Sequence, residues 1–111
     1  MLRLTLPVIF MLVIGNLTAC SNNAERMAEA EKLFVKNCSG CHGADGMGKP
    51  YREIPANLLT SKSKDQIIRQ ILEGSEHKQQ IKMRAMKHLS PEQAEQIAEF
   101  MIHRQKQDNS Q

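Results

Sequence analysis

The chain has 111 residues, 15 Lys and Arg against 12 Asp and Glu, a formal charge of +3, and aromatic residues at only 4% with no Trp. That length accommodates one small domain at most. So few aromatics, and no helix face that is distinctly basic, leave nothing that reads as a nucleic-acid surface, so no nucleic-acid partner is expected. At the start, Met1-Leu2-Arg3 is a short positive segment, and Leu4 to Ile14 is an almost unbroken apolar run. The run is too short to span a bilayer as a helix, and Pro7 and Gly15 argue against a buried one. Its place at the chain start, with small and polar residues after it, predicts a secretory signal outside the fold.

Leu17-Thr18-Ala19-Cys20 resembles a bacterial lipobox placed directly after that apolar run. The resemblance implies cleavage before Cys20 and a lipid attached through its sulfur; the alternative is a plain signal peptide cut nearby. More than one acyl chain anchors stably where one is marginal. Residues 1–19 are then removed and 20–25 form the anchor and a short tether. Taking 19 from the 111 leaves 92 residues, and the loss of Arg3 reduces +3 to +2. Exported and anchored to a bacterial membrane, the domain would face the periplasm or the cell exterior. Extended at ~3.5 Å per residue, Ser21-Asn22-Asn23 would reach on the order of 10–20 Å, keeping the domain close to the lipid.

Ala24 to Asn37 reads as a helix capped by Asn23, rich in Ala, Glu, Lys and Leu, with Met27, Ala30, Leu33 and Phe34 on one stripe. Asn37 and Gly40 are expected to end it. Next comes Cys38-Ser39-Gly40-Cys41-His42. Two thiols three residues apart can present both sulfurs to one porphyrin edge, and an imidazole directly after them can reach the iron. This is the pattern of a c-type haem attachment site, with Cys38 and Cys41 as covalent links and His42 as a metal ligand. The competing chemistries are a zinc site, which lacks further soft ligands, and a disulfide redox pair, which lacks a βαβ context.

Gly43-Ala44-Asp45-Gly46-Met47-Gly48 is a Gly-rich loop without the GKS/GKT ending of a phosphate loop. Its glycines are expected to let the backbone turn and pass close to the macrocycle, with Met47, like Met27, serving as packing. Pro50 and Pro55 keep the next segment irregular. A second helix is predicted from Ser63 to Leu72, opened by a Ser63/Gln66 capping box, with Ile67, Ile68, Ile71 and Leu72 as its apolar face and Gly74 as its stop. A polar stretch runs to Leu89. Ser90-Pro91-Glu92-Gln93 then opens the last helix, with Ala94, Ile97, Phe100 and Met101 inward and a polar tail from 107 to 111. No alternating strand pattern appears, so the fold class is all-α.

From Leu33-Phe34 through the Cys38–His42 motif, the Gly-rich loop, Pro55-Ala56-Asn57-Leu58, Ile71-Leu72-Glu73-Gly74 and Leu89-Ser90-Pro91-Glu92, the chain resembles a class I monohaem c-type cytochrome. The resemblance implies a small helical domain, here residues 26–106, wrapped around one covalently attached haem c. It implies His on one side of the iron and Met on the other, a pairing that raises the potential and leaves no open position for oxygen chemistry. Met83 of Met83-Arg84-Ala85-Met86 fits the register of the sixth ligand, although Arg84 stands where that family usually has Pro. Met86 is the alternative, and His77 and His88 are otherwise loop histidines in water. The family's proline carbonyl that holds the ligating histidine falls on Pro55. Ala30 and Phe34 should cross Ile97 and Phe100.

The function so implied is electron transfer, one electron at a time between redox proteins, with no catalytic residues and no small-molecule substrate. Lys78, Lys82, Arg84 and Lys87 lie in a stretch without acidic residues and could dock a partner with an acidic face, or simply keep a loop soluble. With four aromatics and no Trp the core is thin, and haem would act as a staple. The alternatives are a haem sensor or gas binder, a haem subunit permanently docked on an oxidase or reductase, and a disulfide reductase.

Overall fold

A computed structural model describes the backbone of residues 6–75 and 83–111, and side chains within these from residue 22 onward. Among the described residues three α-helices follow in order, α1 (Leu6–His42), α2 (Lys64–Glu73) and α3 (Pro91–Asp108), with one 3-10 turn at Pro50–Arg52. Among the described residues the only β pairing is an isolated bridge between Lys49 and Ile54, so the all-α architecture expected from the sequence is the one observed.

Helix α1 is longer at both ends than the sequence pattern suggests. It does not begin at Ala24: Ser21, Asn22 and Asn23 are helical, so Asn23 is not a cap and these three residues are not an extended tether. Between Gly15 and Gly40 there is no Gly or Pro to interrupt the helix, and Pro7 lies in the first turn, where a missing N–H costs nothing. Nor does α1 end at Asn37. That side chain folds back onto its own helix, Nδ2 donating to Leu33 O at 2.8 Å, and the helix continues through Cys38 and Cys41 to His42. Gly43 N still donates to Ser39 O at 2.8 Å, and Lys49 Nζ donates to Gly40 O at 2.8 Å, satisfying a carbonyl that a helix end leaves without a partner. The Cys38–His42 motif is therefore the closing turn of α1 rather than a turn after it. No helix among the described residues is long and apolar enough to cross a membrane.

Helices α2 and α3 open with the same device. Ser63 accepts from Gln66 N while the Gln66 side chain accepts from Ser63 N, and Ser90 and Gln93 repeat the exchange ahead of Pro91. Helix α3 runs to Asp108, so the expected tail starts inside its last turn.

Both other helices pack against α3. Ala30 on α1 and Ala94, Ile97 and Ala98 on α3 are fully buried, and small residues there let the backbones approach. The Phe34 and Phe100 rings lie 5.3 Å apart, tilted by 49°, within the favourable range for an aromatic pair. Leu58 and Leu89, which the periodicity did not single out, carry the two loops into the same core. Arg26–Glu99 at 2.9 Å and Lys64–Glu95 at 2.8 Å link α1 and α2 to α3 on the outside.

Candidate haem site

Where the end of α1, the 54–62 segment, α2 and the start of the last loop meet, a cavity of about 300 Å³ opens. Cys38, His42, Pro55, Gln70, Met83 and Met101 are among the residues that line it, with Ile67 and Ile71 as apolar wall.

His42 is positioned by a short return of the chain. Gly48 N donates to His42 O at 2.7 Å, and Lys49 and Ile54 exchange backbone hydrogen bonds of 2.9 and 3.2 Å. This fold-back brings Pro55 O to 2.8 Å from His42 Nδ1. A proton on Nδ1 donated to that carbonyl leaves Nε2 with a free lone pair, the tautomer a metal requires. Gly48 makes the fold-back possible. Its φ is +75°, and a Cβ there would lie 2.6 Å from the carbonyl carbon of Pro55. What this glycine approaches is the 54–56 backbone.

Cys38 is buried while Cys41 is exposed, and no disulfide joins them. Burial, and secondarily the neighbouring Cys41, push the Cys38 thiol up to about 11. Thiol–disulfide enzymes need the opposite, a depressed thiol such as a helix N-terminus provides. Here the pair sits at a helix C-terminus, where the dipole disfavours thiolate. A redox CxxC is poorly served by this geometry. Among the described residues no three His, Cys, Asp or Glu gather as a metal cluster.

Met83 lines the cavity, and its Sδ accepts a hydrogen bond from Gln70 Nε2 at 3.6 Å. Met86 does not line it; its N donates to Ile71 O at 2.8 Å and its side chain packs on the core. His88 is exposed but not free in water: Nε2 lies 2.7 Å from Asn37 Oδ1, which ties the last loop to α1. Met47, expected as packing, is half exposed and lies outside the buried core. His77, Lys78 and Lys82 lie outside the described residues, as does the side chain of Cys20.

Gln70 is the residue that sequence reasoning missed. It stands three residues after Ile67 and beside Ile71, a polar side chain on the face that α2 buries. That misplaced polarity was the available signal. Asn57 also lines the cavity, and its Oδ1 is buried without a partner among the described residues. An imidazole nitrogen freed for a metal, a thioether, the Cys38 thiol in the cavity with exposed Cys41 three residues on, and an apolar wall form a donor set that fits haem.

Fold and cavity together define a cytochrome c domain. Residues 25–101 match the family described as "Cytochrome C oxidase, cbb3-type, subunit III", and the chain belongs to that family. Among solved structures it is similar to the c-type cytochrome XoxG from Methylobacterium extorquens AM1, with a TM-score of 0.59 and 23% identity over 72% of this chain. The match covers 50% of that protein, so the chain spans about half its length, and at this identity what is shared is the fold. No curated protein matches. The chain is a class I c-type cytochrome whose cofactor is covalently attached haem c.

Proposed function

We propose that this is a lipid-anchored monohaem electron carrier, a cytochrome without catalytic residues of its own, in which Cys38 and Cys41 bond the haem, and His42 and Met83 ligate its iron. Haem supplies the Fe(II)/Fe(III) couple; the chain supplies ligands, burial and a docking surface. The observation that carries the assignment is the placement of His42, oriented by Pro55 O at 2.8 Å, in the same cavity as Cys38 and the Met83 thioether. The position of Met86 on the core favours Met83 over it. A Met-filled site also opposes the gas-binder alternative, which needs a vacant or labile sixth position. Export and anchoring rest on the Met1–Cys20 pattern, and Cys20 is the lipidated residue in this reading. Exposed Arg84 and Lys87 flank the Met83 segment and suit a partner with an acidic face, acting on encounter rate more than on affinity.

Mass spectrometry of exported, mature protein tests the assignment. Haem mass on the peptide holding Cys38 and Cys41, and diacylglycerol on Cys20, are the expected results; bare thiols at the first pair would overturn the haem reading. The family's description favours a second reading, a haem subunit permanently docked on an oxidase. Purification as a free monomer after delipidation supports the shuttle, and stoichiometric co-purification with an oxidase supports the docked subunit.

A further inference from the structure

The end of α2 touches the Met83 segment at four places, and none of these contacts is needed to build α2 itself. Gln70 Nε2 donates to Met83 Sδ at 3.6 Å. Ser75 N donates to Met83 O at 3.0 Å, and Met86 N donates to Ile71 O at 2.8 Å. Gly74, at φ +81° and ψ −177°, leaves open the space in which a Cβ would stand 2.6 Å from Met83 O and 3.0 Å from Ala85 N. A backbone with that φ is one that L side chains rarely adopt, so a side chain at position 74 is opposed twice, by strain and by collision.

We infer that the last turn of α2 is a positioning device for the sixth ligand. Gly74 sets where the Met83 backbone can lie, and Gln70 sets the orientation and donor strength of its sulfur. The inference rests on Met83 being the ligand. A thioether sulfur has two lone pairs, so one can bond a metal while the other accepts from an amide. A donor on that second pair draws electron density from sulfur and makes it a weaker donor to ferric iron, which favours the reduced state. Gln70 is therefore a residue through which the chain raises its own potential. Glutamine suits the task because its amide is uncharged and donates at any pH, and because it can lie among Ile67, Ile71 and Met101 at less desolvation cost than a charge.

The test uses the mature holoprotein and three readouts: the weak long-wavelength absorption band of Met-ligated ferric haem, the midpoint potential, and carbon monoxide binding to the reduced form. Gln70→Leu should keep the band and lower the equilibrium constant for reduction about tenfold, about 59 mV for one electron. Gly74→Ala should lose the band and bind carbon monoxide at least tenfold faster. Should Gly74→Ala fail to fold, Gln70→Leu decides. A band in the wild type, with a Gln70→Leu potential shifted less than twofold in that constant, overturns the inference and leaves Met83 as ligand. A wild type without the band, unchanged by Met83→Leu, overturns the Met83 assignment itself.

Discussion

The two sides of the cavity are built in different ways. On the His42 side everything that orients the imidazole comes from the next thirteen residues: Gly48 N on the His42 carbonyl, the Lys49–Ile54 exchange, and Pro55 O on Nδ1. On the Met83 side almost nothing is local. Its sulfur and backbone are met by Gln70, Gly74 and Ser75 from α2, Met86 is held by Ile71, and the loop that follows is tied to α1 through His88 and Asn37. A site half of which is stitched locally can hold its first ligand early in folding, whereas the second ligand waits for α2 to dock on α3. Folding costs of this kind grow with the separation of the contacting residues.

The largest effect that bears on this contrast is loss of the covalent cofactor. Among the described residues Phe34 and Ile97 are the large side chains shielded completely, and a chain this small with so few aromatics needs a staple. Cys38→Ser combined with Cys41→Ser should give a chain that is largely unfolded, with no cooperative thermal transition by circular dichroism. If a cooperative transition survives, the fold is held by α1–α3 packing and the staple argument fails. Next in size is Phe34→Ala. It removes a fully buried ring from the Phe100 pair and should cost about 3–5 kcal/mol by denaturant titration of the holoprotein. Because Phe34 supports α1 rather than α2, the loss should appear as lower global stability with the long-wavelength band intact below the transition.

The same contrast explains what could be read without coordinates. The Cys38–His42 motif and the capping boxes at Ser63 and Ser90 are local patterns, and their geometry follows from chain spacing; Pro55 was legible only through the family resemblance. Helix faces were legible through Ile67 and Ile71 on α2 and Ala94 and Ile97 on α3, because burial imposes a period of 3.6. The ends of α1 were not. Asn and Ser are weak helix stoppers when nothing breaks the helix beyond them, and the bond from Asn37 to Leu33 O shows the residue joining the helix rather than ending it. The roles of Gln70 and His88 were hidden for another reason. Each depends on a partner from a different element, Met83 in one case and Asn37 in the other, and spacing along one segment carries no information about such pairs.

Cutting the tie between the last loop and α1 is a smaller change. Asn37→Ala removes the acceptor for His88 and should cost about 0.5–1.5 kcal/mol, the usual net value of one hydrogen bond. Amide exchange should then quicken around residues 86–89 while the 43–55 segment keeps its protection. Equal loosening on both sides would mean that the two halves of the site are not independent.

The smallest expected effect concerns how α2 is seated on α3. Lys64 Nζ lies 2.8 Å from Glu95 Oε1 and 3.7 Å from Glu99 Oε1, on the exposed side of the α2–α3 contact. The hydrogen bond from Lys64, and then its charge, hold the Glu95 carboxyl below its ordinary 4.5. Reciprocally, the bond to Glu95 holds the Lys64 ammonium above its ordinary 10.5. A carboxyl with a lowered folded pKa contributes stability above its ordinary value and loses it as pH falls through the lowered one. An ammonium with a raised folded pKa contributes below its ordinary value and loses that as pH rises through the raised one. The pair therefore contributes a plateau between about pH 4.5 and 10.5. Both groups are solvated, and pairs of this kind are weak and screened by salt. Glu95→Gln should lower Tm slightly at neutral pH and low salt, with the gap closing in high salt and below pH 4.5. The potential and the long-wavelength band should not move, because Ile67 and Ile71, buried to 4% exposure, fix α2 against the core. A shift of potential in this variant would place control of the Met83 side in the surface ion pair instead of the buried face.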